Sequence, residues 1–199
     1  MTRFITPALY TVLLLALSTI SHAETRLRPD VWATPVIGSE LDNFYRVDNH
    51  LYRSEQPGDE AFPQIAAFGI KEVLNLREFH NDDDEAGETP LTLHQLKLRT
   101  GKVTEDQLIE ALRIIRNSKG PLLVHCWHGS DRTGTVVATY RIIEQGWSKQ
   151  QALDEMINGG YGYHAAIFPN LVELIKGLDV ERMRGLLEAK SSSIPLSKN

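Results

Sequence analysis

The chain has 199 residues, of which 42% are hydrophobic and 24% charged, and its formal net charge is −5. This length predicts a single domain, and the composition is too apolar for a disordered protein. No cluster of Lys and Arg provides the basic face that a general nucleic-acid-binding protein needs, so we expect no nucleic-acid partner.

The first 23 residues have the layout of a secretory signal peptide. Arg3 gives a positive start, residues 8–17 form an apolar run, and residues 21–23 place small side chains just before Glu24. The apolar run is shorter than the ~20 residues that span a bilayer. We therefore predict secretion with cleavage after residue 23; an uncleaved anchor is the alternative. Cleavage changes the formal charge from −5 to −6, because it removes one basic residue and no acidic one.

Three segments follow the predicted signal peptide. Residues 24–40 contain Pro29, Pro35 and Gly38 and are predicted to be irregular. Residues 41–190 carry the hydrophobic patterning of a folded domain, and residues 191–199 form a polar tail that we expect to be disordered.

The first half of the domain is predicted to contain strands and one helix, in the following order. Two short strands lie at 44–47 and 50–53, a short helix ends near Gly69, a strand spans 70–76, a polar loop covers 77–90, and a strand lies within 91–98.

The second half begins with a helix that Thr104 and Gln107 start as a capping box. Residues 122–124 are a continuous apolar run, which is typical of a strand buried on both faces. Helices are then predicted from Arg132 to about 144, from 149 to 157 after a Ser148 cap, from 168 to 178 and on to about 189. This alternation predicts a single α/β domain with a central, mostly parallel sheet of four or five strands flanked by about five helices. The functional crevice of such a sheet lies at the carboxyl ends of its strands.

One such strand end carries Cys126, the single cysteine of the chain. A lone cysteine forms no internal disulfide, and its commonest role is as an inert core residue. Here, however, Arg132 follows after five residues, at the start of a predicted helix. A helix N-terminus and a nearby cation favour a thiolate, and a loop of inward-facing N–H groups binds phosphate oxygens. The planar arginine fork then holds two of those oxygens at once.

The segment His125-Cys126-x5-Arg132-Thr133 resembles the signature of the protein tyrosine phosphatase superfamily, in its dual-specificity branch. The resemblance extends over residues 43–178, including 51–57, 73–77 and 159–164, and with the signal peptide it is closest to periplasmic bacterial tyrosine and dual-specificity phosphatases. It implies a periplasmic, monomeric enzyme that hydrolyses phosphate monoesters of proteins or small molecules through a phosphocysteine intermediate, without a metal or cofactor.

The same resemblance assigns roles to the residues of this segment. Cys126 would be the nucleophile, Arg132 the phosphate clamp, Thr133 a hydrogen-bond donor to the sulfur, and His125 a residue that positions the loop. The expected substrate-binding residues are the loop itself, namely Trp127, His128, Gly129, Ser130, Asp131 and Arg132.

The general acid departs from the family pattern. The family places an aspartate on the loop before the helix that precedes the signature strand, and residues 98–103 contain no carboxylate. Asp131 is our leading candidate, because it is the one carboxylate inside the phosphate loop and some phosphoinositide phosphatases of the superfamily have an aspartate there. The alternative is that Asp131 points away and anchors the loop. Glu105 and Asp106 are explained by the helix dipole. Residues 82–84 are a further alternative, since they could fold over the site, but a solvated acidic loop is the favoured explanation for them.

Several further alternatives remain open at this point. A sulfurtransferase of rhodanese type also uses a cysteine in an anion-binding loop, and a phosphate-binding pseudophosphatase would fit the missing loop aspartate. A zinc site formed by residues 125–128 is disfavoured, since adjacent residues rarely converge on one ion. The expected substrate is phosphotyrosine, with phosphoserine and phosphothreonine as further substrates, in proteins; a phosphoinositide or an inositol phosphate is the alternative.

Overall fold

The structure is a computed structural model that describes residues 28–191. The predicted signal peptide at 1–23, the first residues of the segment 24–40 and the tail beyond residue 191 lie outside the described residues.

A six-stranded mixed sheet forms the centre of the domain, in the order β1-β2-β3-β6-β4-β5. Strands β3, β6, β4 and β5 are parallel to one another, and β1 and β2 add an antiparallel edge beside β3. Their bounds are β1 Thr34–Pro35, β2 Tyr45–Arg46, β3 Leu51–Ser54, β4 Glu72–Asn75, β5 Thr92–Gln95 and β6 Leu122–His125.

This sheet confirms the predicted single α/β domain, but it has one strand more than the four or five expected. The additional strand is β1, which lies in the segment predicted to be irregular. Pro35 is compatible with a strand here because β1 is an edge, where a missing N–H breaks no ladder. A two-residue strand carries no periodicity, so the sequence pattern does not reveal it.

Seven α-helices and one 3-10 turn surround the sheet in the described part of the chain. Their bounds are α1 Ala61–Phe68, α2 Asp83–Ala86, the 3-10 turn Thr100–Lys102, α3 Glu105–Asn117, α4 Asp131–Ile143, α5 Lys149–Asn158, α6 Pro169–Gly177 and α7 Val180–Ser191. None of these helices is long and apolar enough to cross a membrane.

The capping signals read from the sequence are confirmed at two helix starts. Thr104 accepts a hydrogen bond from the Gln107 N–H, and Ser148 does the same for Gln151, each with the reciprocal bond of a capping box. Helix α2 was missed because it is a single turn inside a segment whose composition indicates a loop.

The strand register brings three strand ends to one point. Ser54 at the end of β3 and Asn75 at the end of β4 both lie opposite His125 at the end of β6. Strand β6 is buried throughout, and α4, which follows the loop after it, is buried on nearly every side. The loop at 126–130 is therefore held between the centre of the sheet and a central helix, at the carboxyl edge where the site was expected.

Candidate active site

The loop at 126–130 is held from outside by its carbonyl groups. The Trp127 carbonyl accepts the N–H of Gln56 at 3.1 Å. The His128 carbonyl accepts Asn43 Nδ2 at 2.8 Å, and the Gly129 carbonyl accepts Arg53 Nη2 at 2.6 Å. Because the C=O and N–H of a trans peptide point in opposite directions, three outward carbonyls turn the next N–H groups inward.

Within the described residues, no backbone or side-chain acceptor takes the inward N–H groups of residues 128–130. These donors lie at the N-terminus of α4, where the helix dipole favours negative charge. Cys126, whose side chain is 2% exposed, lies at the start of the loop. The arrangement is a concave nest of donors for an anion, with a thiol at its base.

Gly129 is required by this geometry. Its φ is +68°, and a Cβ at this position would lie 2.4 Å from the carbonyl oxygen of Ser54 at the end of β3. The loop could therefore not pack against the sheet with any larger residue at 129.

Arg132 is braced by the two loops that follow β4 and β5. Its Nη1 donates to the carbonyls of Leu76 and Leu98, both at 3.4 Å. Its Nε is buried without a partner, and its Nη2 donates no hydrogen bond to another described residue. The Nε–Nη2 edge of the guanidinium thus remains available for two oxygens of a phosphoryl group.

A buried ion pair lies behind the nucleophile. His125 Nε2 is 2.8 Å from Asp82 Oδ2, with the two side chains 0% and 2% exposed, and His125 Nδ1 is 3.3 Å from the Cys126 carbonyl oxygen. Both ring nitrogens therefore face oxygen atoms, which fixes the orientation of the imidazole. Burial alone would raise the pKa of Asp82, but the bond to His125, its charge and the bond from Gln56 outweigh burial and lower the pKa.

Comparison with known proteins is consistent with this geometry and decides the family. Residues 40–162, well over half of the chain, match the model of a tyrosine phosphatase family. This chain belongs to the tyrosine phosphatase family. It is an enzyme of the tyrosine and dual-specificity phosphatase class.

Relatives of known structure support the same assignment for this phosphatase. The chain is 35% identical over 161 residues to the dual specificity protein phosphatase TpbA of Pseudomonas aeruginosa, covering 79% of this chain and 71% of TpbA. The crystal structure of P. aeruginosa TpbA superimposes with a TM-score of 0.74 at 32% identity, over 81% of this chain and 99% of that one. A second TpbA structure, of a cysteine-to-serine variant in complex with pTyr, has a TM-score of 0.73 at 31% identity, over 81% and 98% of the two chains.

A relative with another described activity also matches the phosphatase domain. An inositol diphosphatase from Arabidopsis thaliana is 30% identical over 129 residues, covering 57% of this chain and 59% of the relative.

The rim of the phosphatase loop carries aromatic and basic groups. Trp127 is 58% exposed, and His128 is also exposed. The Arg77 guanidinium lies 4.4 Å from the centroid of the Trp127 ring. Burial, and repulsion by the Arg132 guanidinium, lower the pKa of Arg77. Ser130 is buried and donates to the Tyr161 carbonyl at 2.7 Å, so its side chain joins the loop to the segment 159–164 rather than to the rim.

Thr133 is buried, and its hydroxyl has no hydrogen-bond partner in the described structure. The bond from this hydroxyl to the Cys126 sulfur, which the family resemblance implies, is not formed in this state. It stays a prediction for the phosphoenzyme.

The candidates for the general acid are separated by the fold. Asp131 accepts two hydrogen bonds from His164, which is the anchoring arrangement considered as its alternative role. Glu105 and Asp106 both pair with Arg182 of α7. Asp82 is buried against His125, whereas Asp83 and Asp84 are exposed.

Two residues of the site were missed by sequence reasoning: Asn43 and Arg53. The explanation of residues 82–84 as a solvated loop is wrong for Asp82, which is buried against His125 behind the nucleophile; neighbouring acidic residues are usually exposed. The sequence did contain a signal for Arg53: it is a charged residue within a predicted strand, and a charged residue in a strand that is buried on both sides needs a partner. Among the described residues, no three His, Cys, Asp or Glu side chains are grouped so as to hold a metal ion.

Proposed function

We propose that this phosphatase hydrolyses phosphate monoesters through a phosphocysteine intermediate on Cys126. The observation that carries the proposal is the set of three outward-held carbonyls, which leaves unpartnered N–H groups facing inward between the thiol and Arg132. A sulfurtransferase needs no bidentate clamp for a tetrahedral dianion, so the phosphoryl group is the ligand that this donor set fits best.

The proposed reaction has two balanced steps. The Cys126 thiolate attacks phosphorus, an S–P bond forms, the P–O bond to the alcohol breaks, and the leaving oxygen takes a proton from a general acid or from solvent water. Water then attacks the same phosphorus, the S–P bond breaks, and the thiolate is restored as inorganic phosphate leaves with both protons of that water. Inward N–H groups and Arg132 stabilise the charge on the equatorial oxygens in both steps.

Phosphotyrosine in proteins is the proposed substrate, with phosphoserine and phosphothreonine as further substrates. The support is the similarity to TpbA, together with an exposed Trp127 at the rim, which offers an aromatic surface to a phenyl ring. A phosphoinositide or an inositol phosphate is the second candidate, favoured by the inositol diphosphatase relative and by Arg77 beside the loop. A location in the periplasm is proposed from the sequence of residues 1–23 alone.

The test is turnover of p-nitrophenyl phosphate by the mature chain. We expect activity that vanadate and oxidants inhibit and that EDTA leaves unchanged, since a reactive thiolate is oxidised readily. Cys126→Ser should abolish turnover with the fold intact, because a serine hydroxyl is far harder to ionise. Phosphate binding without turnover would identify a pseudophosphatase. Activity that is found only with thiosulfate and cyanide would identify a sulfurtransferase. Phosphate release across phosphopeptides, phosphoinositides and inositol phosphates then decides the substrate.

A further inference from the structure

A buried arginine lies beneath the phosphate loop. Arg53, in strand β3, has a side chain that is 1% exposed and is among the largest fully buried side chains of the described protein. It lies opposite Val124 of β6 in the sheet, one residue before the strand end next to the nucleophile. Its Nη2 would lie 3.9 Å from a Cβ added at Gly134, so the guanidinium also contacts α4.

The contacts of this guanidinium are unusual for a buried cation. It donates to the Gly129 carbonyl at 2.6 Å and lies 3.6 Å from the centroid of the Tyr161 ring. Its Nε is buried without a hydrogen-bond partner. No carboxylate of the described residues forms an ion pair with it, because the nearby Glu155 binds Arg141 instead.

A buried charge without a paired carboxylate is costly, and such groups are concentrated at functional sites. Burial lowers the pKa of Arg53, while the nearby Tyr161, Glu155 and Cys126 raise it again. An arginine nevertheless stays protonated at neutral pH. Of these neighbours, Glu155 is already paired with Arg141, whereas Cys126 begins the loop whose Gly129 carbonyl Arg53 binds and follows β6 two residues after Val124, which lies opposite Arg53.

The bond to Gly129 has a geometric consequence as well. The Gly129 carbonyl and the Ser130 N–H belong to one planar peptide and point in opposite directions. Holding the carbonyl down on Arg53 therefore directs the Ser130 N–H into the nest. Gly129 has no side chain that could fix this peptide, and its positive φ is open to only a few other residues, so the hydrogen bond from Arg53 fixes the peptide instead.

We propose that Arg53 is a positioning residue of the phosphate loop, which orients the Gly129–Ser130 peptide toward the phosphoryl group and supplies a buried positive charge that favours the Cys126 thiolate. The proposal rests on the proposed function of this loop. The other ionisable groups around Cys126 include His125 on β6, His128 on the loop, Asp131 and Arg132 on α4, Arg77 after β4 and, behind His125, Asp82.

The test separates the charge of Arg53 from its hydrogen-bonding geometry. Arg53→Met removes both, and Arg53→Lys keeps the charge but loses the planar fork. Arg46→Met is the matched control, because Arg46 is exposed on the neighbouring strand β2. Cys126 is the single cysteine of the chain, so alkylation by iodoacetamide at each pH reports its thiolate without any assay of turnover.

In Arg53→Met the pH midpoint of alkylation should move upward by about one unit or more, a shift typical of a lost neighbouring charge. The affinity for vanadate should fall about tenfold or more, as for a lost charge-assisted hydrogen bond. Arg53→Lys should keep the midpoint of the wild type and lose vanadate affinity, and Arg46→Met should change neither. Circular dichroism and thermal unfolding establish that each variant is folded.

A folded Arg53→Met variant with the wild-type midpoint and affinity would overturn the proposal. If Arg53→Met does not fold, Arg53→Lys decides both parts of the proposal. Unchanged vanadate affinity in Arg53→Lys would overturn the role of Arg53 in orienting the Gly129 peptide. An upward shift of the alkylation midpoint in Arg53→Lys would overturn the role of its charge. Failure of the proposed function is a separate result. In that case the wild type alkylates and binds vanadate but releases no phosphate from any ester.

Discussion

Both carboxylate oxygens of Asp131 are bound by His164. Oδ1 accepts the backbone N–H of His164 at 3.0 Å, and Oδ2 is 2.9 Å from its ring Nδ1. Asp131 opens helix α4 next to Arg132, so this contact ties the segment 159–164 to the phosphate loop. The His164 ring lies 5.9 Å from the ring of His128 on the rim and its side chain is 41% exposed.

We therefore expect Asp131→Asn to slow the hydrolysis of an aryl phosphate and of an alkyl phosphate by a similar factor. Asparagine cannot accept both bonds, so the segment 159–164 loses about 1–3 kcal/mol of anchoring, whatever the leaving group. If Asp131 were the general acid, the alkyl phosphate would lose far more rate than the aryl phosphate. Protonation of an alkyl leaving group contributes about 10²–10⁴ in rate, whereas an aryl leaving group needs little. The measurement is kcat/KM for both substrates across pH.

His164→Gln is the companion variant in that assay. Selective loss on the alkyl substrate in Asp131→Asn, with a flattened basic limb of the pH profile, would identify Asp131 as the acid. The same selective loss in His164→Gln alone would assign the proton to the imidazole that Asp131 orients. Asp84→Asn, an exposed carboxylate on α2, should change neither substrate.

The chemistry of the loop could be predicted from sequence because it is local. The spacing from Cys126 to Arg132, the apolar strand before it and the helix after it lie within one short segment. The capping box at Thr104 and the cap at Ser148 are local for the same reason and are confirmed.

What supports the loop could not be predicted, because it comes from distant parts of the chain. Asp82 precedes His125 by 43 residues, and only the register of β4 beside β6 brings the two together. Asn43, between β1 and β2, binds the His128 carbonyl across 85 residues of sequence. The sequence pattern indicates which face of each strand or helix is buried. It does not indicate which of the loops that follow the strands come into contact.

The buried pair of Asp82 and His125 should make stability depend on pH in acid. The pKa of Asp82 is lowered in the folded protein. A lowered folded pKa stabilises the protein above the unfolded pKa of about 4, and this contribution is lost as pH falls through the folded value. Asp82→Asn should therefore cost about 1–3 kcal/mol of unfolding free energy at neutral pH, and the difference from wild type should shrink below about pH 4.

Urea denaturation of wild type and variant at pH 7 and pH 3.5 measures this difference. Asp84→Asn, an exposed neighbour with the same chemical change, should stay within about 0.5 kcal/mol of wild type at both values. A cost for Asp82→Asn that is constant with pH would mean that the carboxylate charge contributes nothing to the pair.

A second buried pair supports the site from below. Arg141 of α4 binds Glu155 of α5 through two bonds of 2.8 and 2.9 Å, and Glu155 also accepts the Tyr161 hydroxyl at 3.1 Å. Glu155→Gln should destabilise the protein by about 3 kcal/mol, because it leaves a buried guanidinium unpaired. The matched control is Glu144→Gln, whose pair with Arg116 is partly exposed and should contribute less than about 1 kcal/mol. Equal costs for the two variants in urea denaturation would contradict this prediction.

Arg132→Lys should be nearly as damaging to turnover as Arg132→Ala. Nη1 of Arg132 is bound to the Leu76 and Leu98 carbonyls, which aims the Nε–Nη2 edge at the nest. A lysine keeps the charge but has no second prong for the other phosphoryl oxygen, so both variants should lose about 10²–10³-fold in kcat/KM, as when a transition-state donor is removed. Arg99→Lys is the control, since Arg99 is exposed on the following loop. If Arg132→Lys kept activity close to wild type, charge alone would hold the phosphoryl group, and the bracing by the two carbonyls would have no catalytic purpose.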